Sequence, residues 1–184
     1  MFYNRLAFSL LLLLTFVGCS SVPQQQHSSA VVDQYQTALH AMKTGQNDQA
    51  LNLFVKMTRD YPALAGPYAN LGLLYQKQGL SKEAGAAFDK AVALQPQSTQ
   101  IYNAAGIFYR SVGRFDDAEK AYLNAIDKSS GNADAVLNLA ILYDLYLNKP
   151  AKAINYYKRY LSLTKDKNEK VELWLVDLER RTSM

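Results

Sequence analysis

The chain has 184 residues, one cysteine, two histidines and 20 Lys or Arg against 16 Asp or Glu, a formal net charge of +4. A single cysteine excludes an internal disulfide framework, and a small positive surplus mixed with acids describes a solvated surface rather than a nucleic-acid site. With so few histidines, no Gly-rich phosphate loop and no metal-spaced cluster, no catalytic constellation is present, so neither enzyme activity nor a cofactor nor a metal is expected.

In chain order, residues 1–18 have the pattern of a secretory signal. Arg5 supplies a positive start, Leu6 to Val17 an uncharged apolar run, and Gly18 a small residue before Cys19. A membrane span needs about 20 residues, so the shorter run is expected to be removed. Residues 19–29 contain Val22, Pro23 and otherwise polar side chains, too little to bury, and are expected to form a flexible tether in which His27 is solvated.

The next signal is internal repetition. Gly45, Gly79 and Gly113 recur every 34 residues, as do Ala50, Ala84 and Ala118, then Phe54, Phe88 and Tyr122, and Met57, Ala91 and Ala125. Pro62 and Pro96 follow the same register. Leu71, Gly72 and Tyr75 define an apolar stripe on a first helix, and Ala84, Phe88 and Ala91 one on a second, so each unit is a helical hairpin with facing stripes. Glycines at the helix ends supply the left-handed residue of the turn, and Gly72 and Gly106 inside first helices are tolerable if they admit the partner helix closely. The spacing predicts four units over about 31–64, 65–98, 99–132 and 133–164, and a capping helix in 165–184.

The fourth unit departs from the pattern. Ten residues separate Tyr143 from Ala153, against nine between Tyr109 and Ala118, which predicts one extra residue in the turn, with Asn148 in the left-handed position and Pro150 opening the next helix. Beyond it, Asp166 and Glu169 have capping-box spacing, and Val171, Trp174, Leu175 and Leu178 predict an apolar stripe on a helix to about Arg180. Leu173 and Val176 fall off that stripe and are candidates for a partner contact. The acidic run Asp116, Asp117 and Glu119 opens a second helix, where negative charge suits the dipole.

Two resemblances extend this reading. The Gly18-Cys19 pair resembles a bacterial lipobox, with Phe16 where Leu is usual; it implies lipid on the Cys19 sulfur and, since Ser20 rather than Asp follows, an outer-membrane anchor facing the periplasm. At about 0.8 kcal/mol per buried CH₂, two or three acyl chains anchor stably. Tyr68, Leu71, Gly72, Tyr75, Gly79, Ala84, Phe88, Ala91 and Pro96 resemble the tetratricopeptide repeat, which implies an all-α solenoid of about four hairpins plus a cap. That family's binding positions, carried onto this chain, are Tyr35, Leu39, Met42, Asn70, Leu73, Gln76, Lys77, Asn103, Ile107, Arg110, Leu137, Asn138, Ile141 and Asp144. The asparagines would bond an extended peptide, Arg110 a carboxylate, and the aliphatics apolar side chains. Gly66, Gln100 and Asp134 stand where the family's C-terminal carboxylate clamp carries bases, so that ligand is not expected.

The combination resembles pilus-biogenesis lipoproteins of the PilF/PilW type and adaptor lipoproteins of the NlpI type. It implies an envelope protein-interaction scaffold, anchored through Cys19, that binds an envelope protein or peptide segment and assists assembly of a machine such as a type IV pilus or a secretion secretin. An adaptor for cell-wall hydrolases and a purely structural envelope tether are the alternatives.

Overall fold

The computed structural model describes residues 29–164 and 168–183. The expected signal segment, Cys19 and the tether up to residue 28 lie outside the described residues, as does Asp166. Among the described residues there are nine α-helices and no strand: α1 Ser29–Lys43, α2 Asn47–Asp60, α3 Ala65–Lys77, α4 Ser81–Leu94, α5 Thr99–Ser111, α6 Phe115–Lys128, α7 Ala133–Ile141, α8 Pro150–Leu163 and α9 Glu169–Thr182. None of them is long and apolar enough to cross a membrane. The architecture is the all-α hairpin solenoid that the repeat predicts.

Each hairpin turn has the same origin. Gly45, Gly79 and Gly113 adopt φ of 80°, 76° and 78°, values at which a Cβ would clash with the backbone. The chain then closes back onto the first helix through Gln46 N to Ala41 O, Leu80 N to Tyr75 O and Arg114 N to Tyr109 O, each 2.9 Å. One aromatic of each second helix fills the hairpin: Phe54, Phe88 and Tyr122 are fully buried and Tyr157 is 1% exposed. Gly72 and Gly106 make room for two of these rings, because a Cβ would come within 2.8 Å of Phe88 and 2.5 Å of Tyr122.

The extra residue of the fourth unit is not in the turn, where the sequence placed it. It lies in a π-helical extension of α7, Leu142–Tyr146. The turn itself keeps its form: Asn148 takes the left-handed position at φ 47°, Pro150 opens α8, and Lys149 N reaches Tyr143 O at 2.8 Å, spanning one residue more than in the other units. A helix accommodates an insertion by widening one turn to i→i+5 bonding, with a local bulge as the result. Here the bulge leaves Leu145 and Tyr146 68% and 46% exposed.

The capping helix also differs in detail from expectation. Its N-cap is Asn168, whose Oδ1 accepts from Val171 N at 3.3 Å, rather than Asp166. Val171, Leu175 and Leu178 are buried, whereas Trp174 is half-buried, its ring tilted against Tyr157 at 6.2 Å. The N-caps Leu64, Ser98, Asn132 and Asn168 are followed at the same offsets by buried Pro67, Ile101, Ala135 and Val171, then by buried Leu71, Ala105, Leu139 and Leu175. By this register α9 is a further first helix, packed on α8.

Candidate functional site

First helices lie nearer one another than second helices do: α3 touches α5 and α5 touches α7, with no comparable contact between α2 and α4 or α4 and α6. The solenoid therefore curves with α1, α3, α5 and α7 lining its inner face. Leu39, Leu73, Ile107 and Ile141, again 34 residues apart, form an apolar row along that face. Leu73 and Ile107 are each 37% exposed, and Leu39 and Ile141 are half-buried.

Polar rungs cross the row. The Asn70 amide donates to Tyr35 Oη at 2.8 Å and to Gly66 O at 3.0 Å. The Asn138 amide donates to Asn103 Oδ1 at 3.1 Å, and Asn138 Oδ1 accepts from Arg110 at 3.5 Å. Gln76 donates to Ser111 Oγ at 3.2 Å. The asparagines expected to bond a peptide backbone thus already join neighbouring units, leaving the Asn103 amide donor and the Asn70 carbonyl with capacity among the described residues. Tyr35 is pushed to a higher pKa by burial, partly offset by the Asn70 bond, so its hydroxyl stays neutral.

The remaining expected groove residues are placed unevenly. Met42 and Leu137 are half-buried, and Met42 packs into the core of the first unit. Lys77 is exposed at the edge, 3.5 Å from Asn47 Oδ1 of α2. Asp144 lines the groove's far end but is largely engaged within the fold: its side chain is only 6% exposed, accepts from Tyr157 Oη at 3.2 Å and pairs with Arg181 at 3.4 Å. It ties α7 to α8 and α9.

At the groove's far end the expected positions Ile141 and Asp144 meet Leu145 and Arg181, which the sequence did not single out. The π-helical extension turns Leu145 toward Trp174, and with Ile141, Tyr157 and Arg181 they line a cavity of about 280 Å³. Tyr146 carries the Arg110 guanidinium 5.8 Å from its ring centre and leans on Phe115 at 5.2 Å. The ten-residue spacing was the available signal, but it does not say whether helix or turn takes the insertion. At the first unit a second cavity, about 250 Å³, is lined by Val31, Val32, Tyr35, Leu64, Gly66 and Pro67.

Behind the groove, tyrosine hydroxyls donate to carboxylates: Tyr109 to Asp89, and Tyr143 to Glu119 at 2.7 Å. Lys149 and Lys152 stand 3.4 and 3.7 Å from Glu119. Burial pushes Glu119 up, but the Tyr143 bond and the two lysines outweigh it and hold its carboxyl below the ordinary value. The acidic run that opens α6 thus includes one structural anchor. Burial raises Tyr122 to about 12, and its hydroxyl has no hydrogen-bond partner among the described residues. The tyrosine–carboxylate bonds fasten neighbouring helices together. Among the described residues no cluster of three or more His, Cys, Asp or Glu could hold a metal.

An inner face of repeated apolar and polar positions defines a repeat scaffold, and comparison with known proteins agrees. Two tetratricopeptide-repeat models match residues 65–98 and 103–168, together more than half of the chain, and the chain belongs to the tetratricopeptide-repeat family. It is 26% identical over 144 residues to the type IV pilus assembly protein PilF of Pseudomonas aeruginosa, a match covering 78% of this chain and 57% of that protein. A solved structure of Pseudomonas aeruginosa PilF has the same fold, with a TM-score of 0.74 at 24% identity, over 84% of this chain and 69% of that one. The chain is also 28% identical over 151 residues to the mouse protein O-mannosyl-transferase TMTC3, covering 73% of this chain but only 16% of that protein. The chain spans about a sixth of TMTC3 and little more than half of PilF.

Proposed function

We propose that the protein is a non-catalytic, lipid-anchored scaffold of the bacterial envelope, held by Cys19 in the outer membrane and facing the periplasm, whose inner groove receives an extended or helical segment of an envelope protein during assembly of a type IV pilus or a secretion secretin. The observation that carries this reading is the row Leu39, Leu73, Ile107 and Ile141, exposed at its two central positions, half-buried at its ends and flanked by amide rungs. Apolar positions at regular intervals accept side chains of a bound segment, while polar groups between them fix its path. The likeness to PilF, a type IV pilus assembly protein by name, supports the choice of machine. The Gly18-Cys19 pair after an apolar run supports the anchor.

The test is capture of envelope proteins by the chain with Leu73→Glu and Ile107→Glu. Both side chains lie on the surface, so helicity should persist while capture falls about tenfold or more, the loss of two apolar contacts near the centre of an interface. Recovery of pilus or secretin components supports the proposal; recovery of cell-wall hydrolases would turn it to the adaptor reading. In parallel, Cys19→Ser should abolish acyl labelling and release the protein from membranes. Persistent labelling would remove the anchor from the account.

A further inference from the structure

Helix α9 is a first helix by register, and among the described residues no second helix lies on its outer face. Val176 stands where Gly72, Gly106 and Ala140 stand in α3, α5 and α7. In the second and third units that position lies beneath the aromatic of an antiparallel second helix, Phe88 or Tyr122. On α9 it is bare: Val176 is 62% exposed and Leu173, beside it, 69%.

The charges around these two residues are arranged along the helix. Glu169 and Glu172 occupy the first turn, and Arg180 lies in the last. Among the described residues neither glutamate forms an ion pair, while Arg180 reaches only its helix neighbour Asp177, with its side chain 75% exposed. Glu169, Glu172, Leu173, Val176 and Arg180 share one face at three- and four-residue spacing. An antiparallel copy of the same helix, centred on Val176, would bring Val176 against Val176 and Glu172 against Arg180 twice over. Like charges would meet if the helices ran parallel.

We infer that α9 is a self-association surface: a second copy of this chain docks antiparallel on it, its α9 taking the place that a second helix takes in each preceding unit. The pattern is self-complementary, as a two-fold interface requires. One helix face buries less than the roughly 800 Å² per partner of a stable interface, so the dimer should be weak, at about micromolar concentration or above. The inference goes beyond the groove reading and uses a different surface.

The experiment is sedimentation of the full-length chain in an excess of detergent micelles, with four variants. The parent should dimerise reversibly, and Val176→Glu should weaken dimerisation about tenfold or more by burying a charge at the centre. Glu172→Arg and Arg180→Glu should each weaken it about threefold, as exposed ion pairs do, and the double reversal should restore the parent value within about twofold. In a separate crosslinking arm, Val176→Cys should form a disulfide-linked dimer through the new thiol, while Leu80→Cys, an exposed control on the α3–α4 turn, should not. A parent that stays monomeric at about 200 μM, or a double reversal no better than its worse single, would overturn the inference, as would a Val176→Cys thiol that links only to another protein.

Discussion

The central hairpins, α3 to α6, and the fourth, α7 and α8, bury the same kind of aromatic contact from unequal sequences. In α3 and α5 a glycine sits under the ring, and the turn is closed by a glycine. In α7 the contact position is Ala140, the turn residue is Asn148, and one extra residue has been absorbed as a π-helical turn. What is held constant is the turn and the ring; what varies is the helix between them. The price of that accommodation is local exposure, since Leu145 and Tyr146 are turned outward into the end of the groove. Regularity therefore builds the scaffold, and the irregular unit supplies its most distinctive surface.

The largest effect expected is on the shared element. Phe88→Ala empties a fully enclosed site and should cost about 3–5 kcal/mol in thermal or urea unfolding, as should Tyr157→Ala in the irregular unit. An unchanged midpoint for Tyr157→Ala would break the equivalence of the two regions.

Electrostatics should distinguish the regions more finely. Glu119 joins the third unit to the fourth through Tyr143, Lys149 and Lys152, and its folded pKa lies below the ordinary 4.5. A depressed carboxyl contributes stability that is complete above the unfolded value and is lost as pH falls through the folded one. Glu119→Gln should thus cost about 1–2 kcal/mol near neutrality, the scale of a hydrogen bond to a charged group. The deficit should close in acid, below the ordinary value; a deficit independent of pH would mean that packing, not charge, joins these units.

Deleting Leu145 should have the smallest effect. It restores the nine-residue spacing of the central units, converts the π-helical turn to α, and should move stability by less than about 1 kcal/mol, as changes at exposed positions do. A large loss would show that the bulge is required for folding.

The sequence made the hairpins legible because their constraints are local and repeated. Glycine at a left-handed turn and small residues under a buried ring leave the same mark every 34 residues. The insertion was visible as a count, but a count does not locate the strain; only the competition between a fixed turn and a deformable helix does. The cap was legible as a helix but not in its N-cap, since Asp166 and Asn168 both have the side chain an N-cap needs. In the groove all four positions of the apolar row, Leu39, Leu73, Ile107 and Ile141, were named from the repeat resemblance. The use of Asn70 and Asn138 as rungs was not legible, nor the burial of Asp144, because each depends on which neighbour lies within about 3 Å in the next unit.

The most direct test of the groove as the site of partner binding is photo-crosslinking in intact cells from a benzophenone side chain placed at Ile107, on the inner face of α5, and separately at Leu123, on α6. The two positions have similar exposure, 37% and 39%, so accessibility does not distinguish them. A discrete adduct with one envelope protein from position 107, and none from position 123, is the result expected. The same adduct from both positions, or an adduct from position 123 alone, would contradict the account.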